Sequence, residues 1–132
     1  MSRHPHFDDR GTLDWHEHWD DALAAARREG KLVFIEMGRE ACGNCRTLVQ
    51  SIVPRPRVAE LLKKHFVGLA ADADDPEPQI LDLGMQHLSD ATMLPFVMFT
   101  DADGNYLGGG HGAVDPARFE QALEELARAD RG

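Results

Sequence analysis

Lys31-Leu-Val-Phe-Ile-Glu36-Met37-Gly38-Arg39-Glu40-Ala41-Cys42-Gly43-Asn44-Cys45-Arg46 is the stretch that decides how the rest of the chain is read. Its first seven residues form a short apolar run rich in β-branched and aromatic side chains, the pattern of a buried strand. Residues 38–41 read as a loop, and the cysteines open a stretch that reads as a helix ending at Pro54. A helix that begins on Cys-x-x-Cys directly after a strand says more than the spacing alone. Free amide N–H groups and the macrodipole at a helix N-terminus favour negative charge, so the Cys42 thiolate is expected to be stabilised. Cys45 follows one turn later, close enough to close a disulfide with Cys42. On this reading Cys42 is the exposed nucleophile and Cys45 the resolving thiol that releases a mixed disulfide.

On the N-terminal side, Trp19, Leu23 and Ala26 recur at helical spacing, and Gly30 reads as the helix stop. Residues 1–14 are polar and His-rich and are expected to form an arm ahead of one domain spanning 15–132. Beyond Pro54, Val58, Leu61, Leu62 and His65 mark a second helical face, and residues 66–71 a second strand. Residues 72–78 read as an acidic loop with two prolines, and 80–87 as a short helix. Residues 96–100 and 105–108 flank Asp103-Gly104, a hairpin signal. Asp115-Pro116 reads as an N-cap followed by the first residue of a helix whose apolar face is Phe119, Ala122, Leu123 and Leu126. The order predicts an α/β fold, a central mixed β-sheet flanked by helices on both faces.

The 132 residues carry 14 Lys and Arg against 23 Asp and Glu, a net charge of −9. That length suits one domain, and the acidic balance speaks against nucleic acid or an anionic membrane as partner. The apolar runs are far too short for membrane insertion. The first ten residues lack the apolar core of a signal peptide, so the expected compartment is the cytoplasm, or the periplasm if a leader was removed. A monomer is expected. Two cysteines cannot build a disulfide scaffold, but Cys-x-x-Cys alone also fits half of a zinc site. No second such pair exists, and His4, His6, His16 and His18 stand at spacings that match no common zinc motif. No metal is therefore expected. The seven histidines read as solvated groups, as does the acidic run Asp72, Asp74, Asp75, Glu77. Asp101-Ala-Asp103-Gly104 lacks the glycine position and terminal Glu of a calcium loop and reads as a turn. Glu36, from the residues alone, is either an edge residue facing water or a buried carboxylate.

The chain resembles the thioredoxin-like proteins, in particular the branch with a helix of the form Trp…Ala-Leu…Ala-Arg…Gly-Lys before the first core strand. Here that is Trp19, Ala22-Leu23, Ala26-Arg27 and Gly30-Lys31. The resemblance runs from about Trp15 to Ala127, and four features carry it: the Cys42/Cys45 pair, Glu36 six residues earlier, Leu94-Pro95, and Gly112-Ala113. It implies the thioredoxin fold. It also implies a buried Glu36 that relays protons for the inner cysteine. Leu94-Pro95 would be a cis peptide facing the active site, where the default is trans. The Leu94 backbone would then present N–H and C=O to an extended substrate as one added strand. Gly112 would border the substrate groove, together with Ala41, Gly43 and Asn44.

Three positions depart from the family pattern. Ala41 stands where thioredoxins proper have Trp, and Gly43-Asn44 where they have Gly-Pro. Ala41 is expected to loosen substrate contact. Asn44 restores an N–H that proline lacks, which is expected to make the pair more oxidising. The lysine that partners the family's carboxylate aligns with about Gly68 and is absent, while Arg46 and Arg39 are expected to supply positive charge near the sulfur. The function so implied is a thiol–disulfide oxidoreductase, reductase favoured, acting on protein disulfide or dithiol substrates. It would need no cofactor beyond its own redox-active disulfide, and a separate electron donor or reductase to regenerate it. The alternatives are a thioredoxin-fold binding, chaperone or redox-sensing module without turnover, and a zinc-binding module.

Overall fold

Strand β2, Leu32–Gly38, is buried along its whole length because helices cover both faces of the sheet at its centre. The computed structural model describes residues 2–131. The remaining strands are β1 (Trp15–His16), β3 (Phe66–Asp72), β4 (Phe96–Thr100) and β5 (Tyr106–His111), in the order β1-β3-β2-β4-β5. β3 runs parallel to β1 and β2, whereas β4 is antiparallel to both β2 and β5. Among the described residues five α-helices accompany them: α1 (Trp19–Glu29), α2 (Gly43–Thr47), α3 (Pro56–His65), α4 (Pro78–His87) and α5 (Pro116–Arg131). The mixed α/β architecture is the expected one.

Side chains alternate across a strand, and β2 shows the consequence. Leu32 and Phe34 enter one core with Leu48, Ile52, Leu62, Phe66, Phe99, Phe119 and Leu123. Val33, Ile35 and Met37 enter the other, with Ala22, Leu23 and Ala26 of α1 and Ile80 of α4. The same alternation sends Glu36 to the Phe34 side, the face covered by the helix that carries the cysteines. α2 does not end as one regular helix. Leu48–Ile52 form a π-helical turn, which no feature of the sequence announces. Gly30 does stop α1, with φ 66 and its N–H donated to Ala26.

Residues 2–14 pack against the domain more closely than a solvated arm would. His4, Phe7, Asp9, Thr12 and Leu13 are buried, and His4 departs from the expectation of solvated histidines. The Asp9 carboxylate accepts the backbone N–H groups of Thr12 and Leu13 and the Trp15 indole N–H at 2.8 Å. Trp15 is 1% exposed and starts the two-residue strand β1, too short for any periodicity to reveal. Its ring lies over Gly68, where an added Cβ would approach Trp15 Cε3 to 2.9 Å. The acidic run is also partly structural: Glu77 accepts the Trp19 N–H at the start of α1, and Asp74 pairs with Arg39.

Gly68→Ala should therefore lower stability by about 1–3 kcal/mol, the usual cost of overpacking against a buried ring that cannot withdraw. Urea unfolding followed by tryptophan fluorescence measures this, and an unchanged midpoint would show that the Trp15 ring is free to move.

Candidate active site

Cys42 is the N-cap of α2, in extended conformation, and its Sγ accepts the Cys45 backbone N–H at 3.2 Å. A helix start on this residue thus places a backbone donor on the sulfur, as the sequence predicts. Both cysteines are free thiols, Cys42 half-buried and Cys45 fully buried. Burial is the main cause that pushes the Cys45 thiol up to about 12. A hydrogen bond with the Cys42 side chain adds to it; the Arg39 backbone N–H opposes it, and the charges of Glu36 and Cys42 reinforce it.

Glu36 is 2% exposed, so of the two readings open for it the buried carboxylate is the one the fold adopts. It faces Cys45 across the space left by Gly38, the last residue of β2. A Cβ built there would overlap both Glu36 Oε2 and Cys45 Sγ, so the two atoms flank one small space that only glycine leaves open. The other carboxyl oxygen, Oε1, lies 2.7 Å from His4 Nε2. His4 Nδ1 accepts the backbone N–H groups of His6 and Phe7 at 3.1 and 3.2 Å. A cavity of about 240 Å³ has both residues in its lining, together with His6, His18, Asp75 and Glu77.

The Leu94–Pro95 peptide is cis. Leu94, like Cys42, packs against the buried cluster of Phe7, Cys45 and Val49, so this loop sits close to the inner cysteine. Its carbonyl accepts the Asn44 side-chain N–H at 3.2 Å. Asn44 thus ties the two halves of the site together through its side chain, a contact that the reading of its backbone N–H does not contain. Gly112 donates its N–H to Met93 and Pro95, which holds the loop to the end of β5. Ala41 and Gly43 are exposed beside Cys42. The arginines engage other partners: the Arg39 guanidinium binds Asp74, and that of Arg46 lies over the Phe7 ring at 5.8 Å.

His4 and Phe7 are the site residues that sequence reasoning missed. The signal available was an aromatic residue, Phe7, in a polar segment, followed by Asp9 three residues before Thr12. Among the described residues, no group of three or more His, Cys, Asp or Glu side chains is placed to hold a metal ion. No described helix is long and apolar enough to cross a membrane.

A family model for thioredoxin-like domains matches residues 14–102. The structure is similar to that of a thioredoxin from Thermus thermophilus, at 24% identity and a TM-score of 0.69, covering 87% of each chain. It is also similar to the disulphide isomerase from Xylella fastidiosa Temecula1, at 22% identity and a TM-score of 0.61, over 86% of this chain and 96% of that one. Spermatogenesis-associated protein 20 from Homo sapiens is 23% identical over 94 residues; the match takes in 71% of this chain but 11% of that protein's length.

The two thiols should differ sharply toward alkylation. Iodoacetamide, followed by mass spectrometry of the folded protein between pH 7 and 9, should label Cys42 and leave Cys45 unmodified. Because the Cys45 value of about 12 lies well above that window, its thiolate stays scarce throughout it and grows only as pH rises further. Equal labelling would show that Cys45 is neither buried nor protonated.

Proposed function

Because the chain belongs to the thioredoxin-like family, we propose that it is a thiol–disulfide oxidoreductase that exchanges electrons with protein substrates through Cys42 and Cys45. The observation that carries this reading is the stacking of unlike thiols over a carboxylate. Cys42 is reachable and hydrogen-bonded at a helix start, and Cys45 is buried one turn in, beside Glu36. Cys42 attacks a substrate disulfide, its sulfur bonds to one substrate sulfur, and the other leaves as a thiolate. Cys45 then attacks Cys42 Sγ; the mixed disulfide breaks, the second substrate thiolate leaves, and Cys42–Cys45 becomes the oxidised pair. The substrate disulfide is reduced, the protein dithiol is oxidised, and an external dithiol donor must reverse the latter.

No metal or organic cofactor enters this cycle. Leu94, Pro95, Ala41, Gly43, Asn44 and Gly112 would line the place of the substrate chain. An extended segment pairing with the Leu94 backbone competes with Asn44 for the Leu94 carbonyl, so Asn44 holds the acceptor until substrate arrives. Reduction is the direction we favour. The reduction potential of the Cys42/Cys45 couple against that of its surroundings decides the direction.

Two measurements test this. In a turbidity assay of insulin reduction by dithiothreitol, the wild-type protein should accelerate precipitation and Cys42→Ser should leave it at the uncatalysed rate. Equal rates for the two proteins would favour a binding module without turnover. The potential of the Cys42/Cys45 couple, by equilibration with glutathione, should lie nearer about −270 mV than about −120 mV; a value at the oxidising end would reverse the direction.

A further inference from the structure

We propose that His4, brought in by the N-terminal segment, is the positioning residue that decides which oxygen of Glu36 receives the Cys45 proton. It holds Oε1 and so leaves Oε2, the oxygen facing the sulfur, as the accepting atom. The inference rests on the dithiol-exchange reading above and adds a residue and an atom to it.

The direction of the His4–Glu36 hydrogen bond follows from the other side of the ring. Nδ1 accepts two backbone N–H groups, from His6 and Phe7, so it carries no proton of its own. The ring proton therefore sits on Nε2 and is donated to Glu36 Oε1 across 2.7 Å. An oxygen held by that N–H is the poorer base of the two, and an incoming proton goes to Oε2. Oε2 and Cys45 Sγ face each other across the space a Gly38 side chain would fill, at 2.4 and 2.5 Å from where its Cβ would stand. The ring cannot easily turn to reverse this assignment. It stacks on Phe7 with centroids 5.5 Å apart and meets Trp15 edge-on at 4.8 Å. Trp15 is itself pinned by Asp9 through its indole N–H and by Gly68 beneath its ring.

The step this serves is the resolving one. With Cys42 joined to a substrate sulfur, Cys45 Sγ forms its bond to Cys42 Sγ as the Cys42–substrate bond breaks. The electron pair of that bond leaves on the substrate sulfur, and the Cys45 proton passes to Glu36 Oε2. Glu36 returns it to solvent through the cavity that opens on the His4–Glu36 pair. His4 neither gains nor loses a proton. It acts by orienting the base, as outer-shell partners of reactive groups generally do.

Stopped-flow reaction of the reduced full chain with excess dithiobis(nitrobenzoate) separates the two steps. Each protein should release one coloured thiolate as Cys42 attacks and a second as Cys45 resolves, and the first release serves as the reference for its own second. His4→Leu keeps the bulk and removes the donor, and should slow the second release relative to the first by roughly tenfold or more, the scale of one hydrogen bond to a charged group. His4→Gln places an N–H near the same point and should recover most of the rate. Second release in His4→Leu at the wild-type rate overturns the inference, and so does a His4→Gln variant as slow as His4→Leu, which would assign the effect to packing. A wild-type protein that never releases the second thiolate overturns the dithiol-exchange reading instead. The tautomer is checked apart from any turnover: 15N shifts of the His4 ring should place its proton on Nε2, and a proton on Nδ1 overturns the inference whatever the kinetics.

Discussion

A carboxylate buried in the centre of a sheet is the constraint around which the rest of this structure is arranged. Removing a carboxyl group from water is costly unless its oxygens find partners. Glu36 is 2% exposed on the most deeply buried strand, and each oxygen has a definite neighbour: a histidine N–H on one side and a thiol on the other. Neither neighbour comes from the strands adjoining β2. The thiol descends from the start of α2 and needs the missing side chain of Gly38. The histidine arrives from a segment 32 residues earlier in the chain.

The N-terminal segment is thereby part of the site rather than an appendage to it. The space above Gly68 is occupied by the Trp15 ring. Trp15 and Phe7 in turn form the walls of the His4 pocket. The packing that seats Trp15 on Gly68 therefore also seats His4 on the carboxylate. Phe7 also covers Cys45, so the segment that orients the carboxylate helps to keep the inner thiol dry and protonated.

Most of the fold was legible because its strongest signals are local. The β2 run, the Gly30 stop, the Asp103-Gly104 turn and the Asp115-Pro116 start each constrain a few neighbouring residues, and each produced the element expected. β1 and the π-helical turn were not legible. A two-residue strand exists only because β3 offers it partners, and a π turn reflects packing around the cysteine helix rather than any residue preference. In the site, the cysteines, Glu36 and Leu94-Pro95 were readable through spacing and resemblance. The use of the Asn44 side chain and the engagement of Arg39 with Asp74 were not, since both are contacts between distant segments.

The order of residues by itself determined that two thiols would meet at a helix start after a buried strand, because helical and strand periodicities act over a few residues and need no distant partner. It left open whether Glu36 would face water or be buried, because alternation along a strand does not say which face a distant helix will cover. Only the tertiary structure decided what the carboxylate would meet. Hydrogen bonds such as His4 to Glu36 depend on where the chain returns in space, and a histidine in a polar, His-rich segment has no local mark that separates a solvated ring from one clamped beneath the active site.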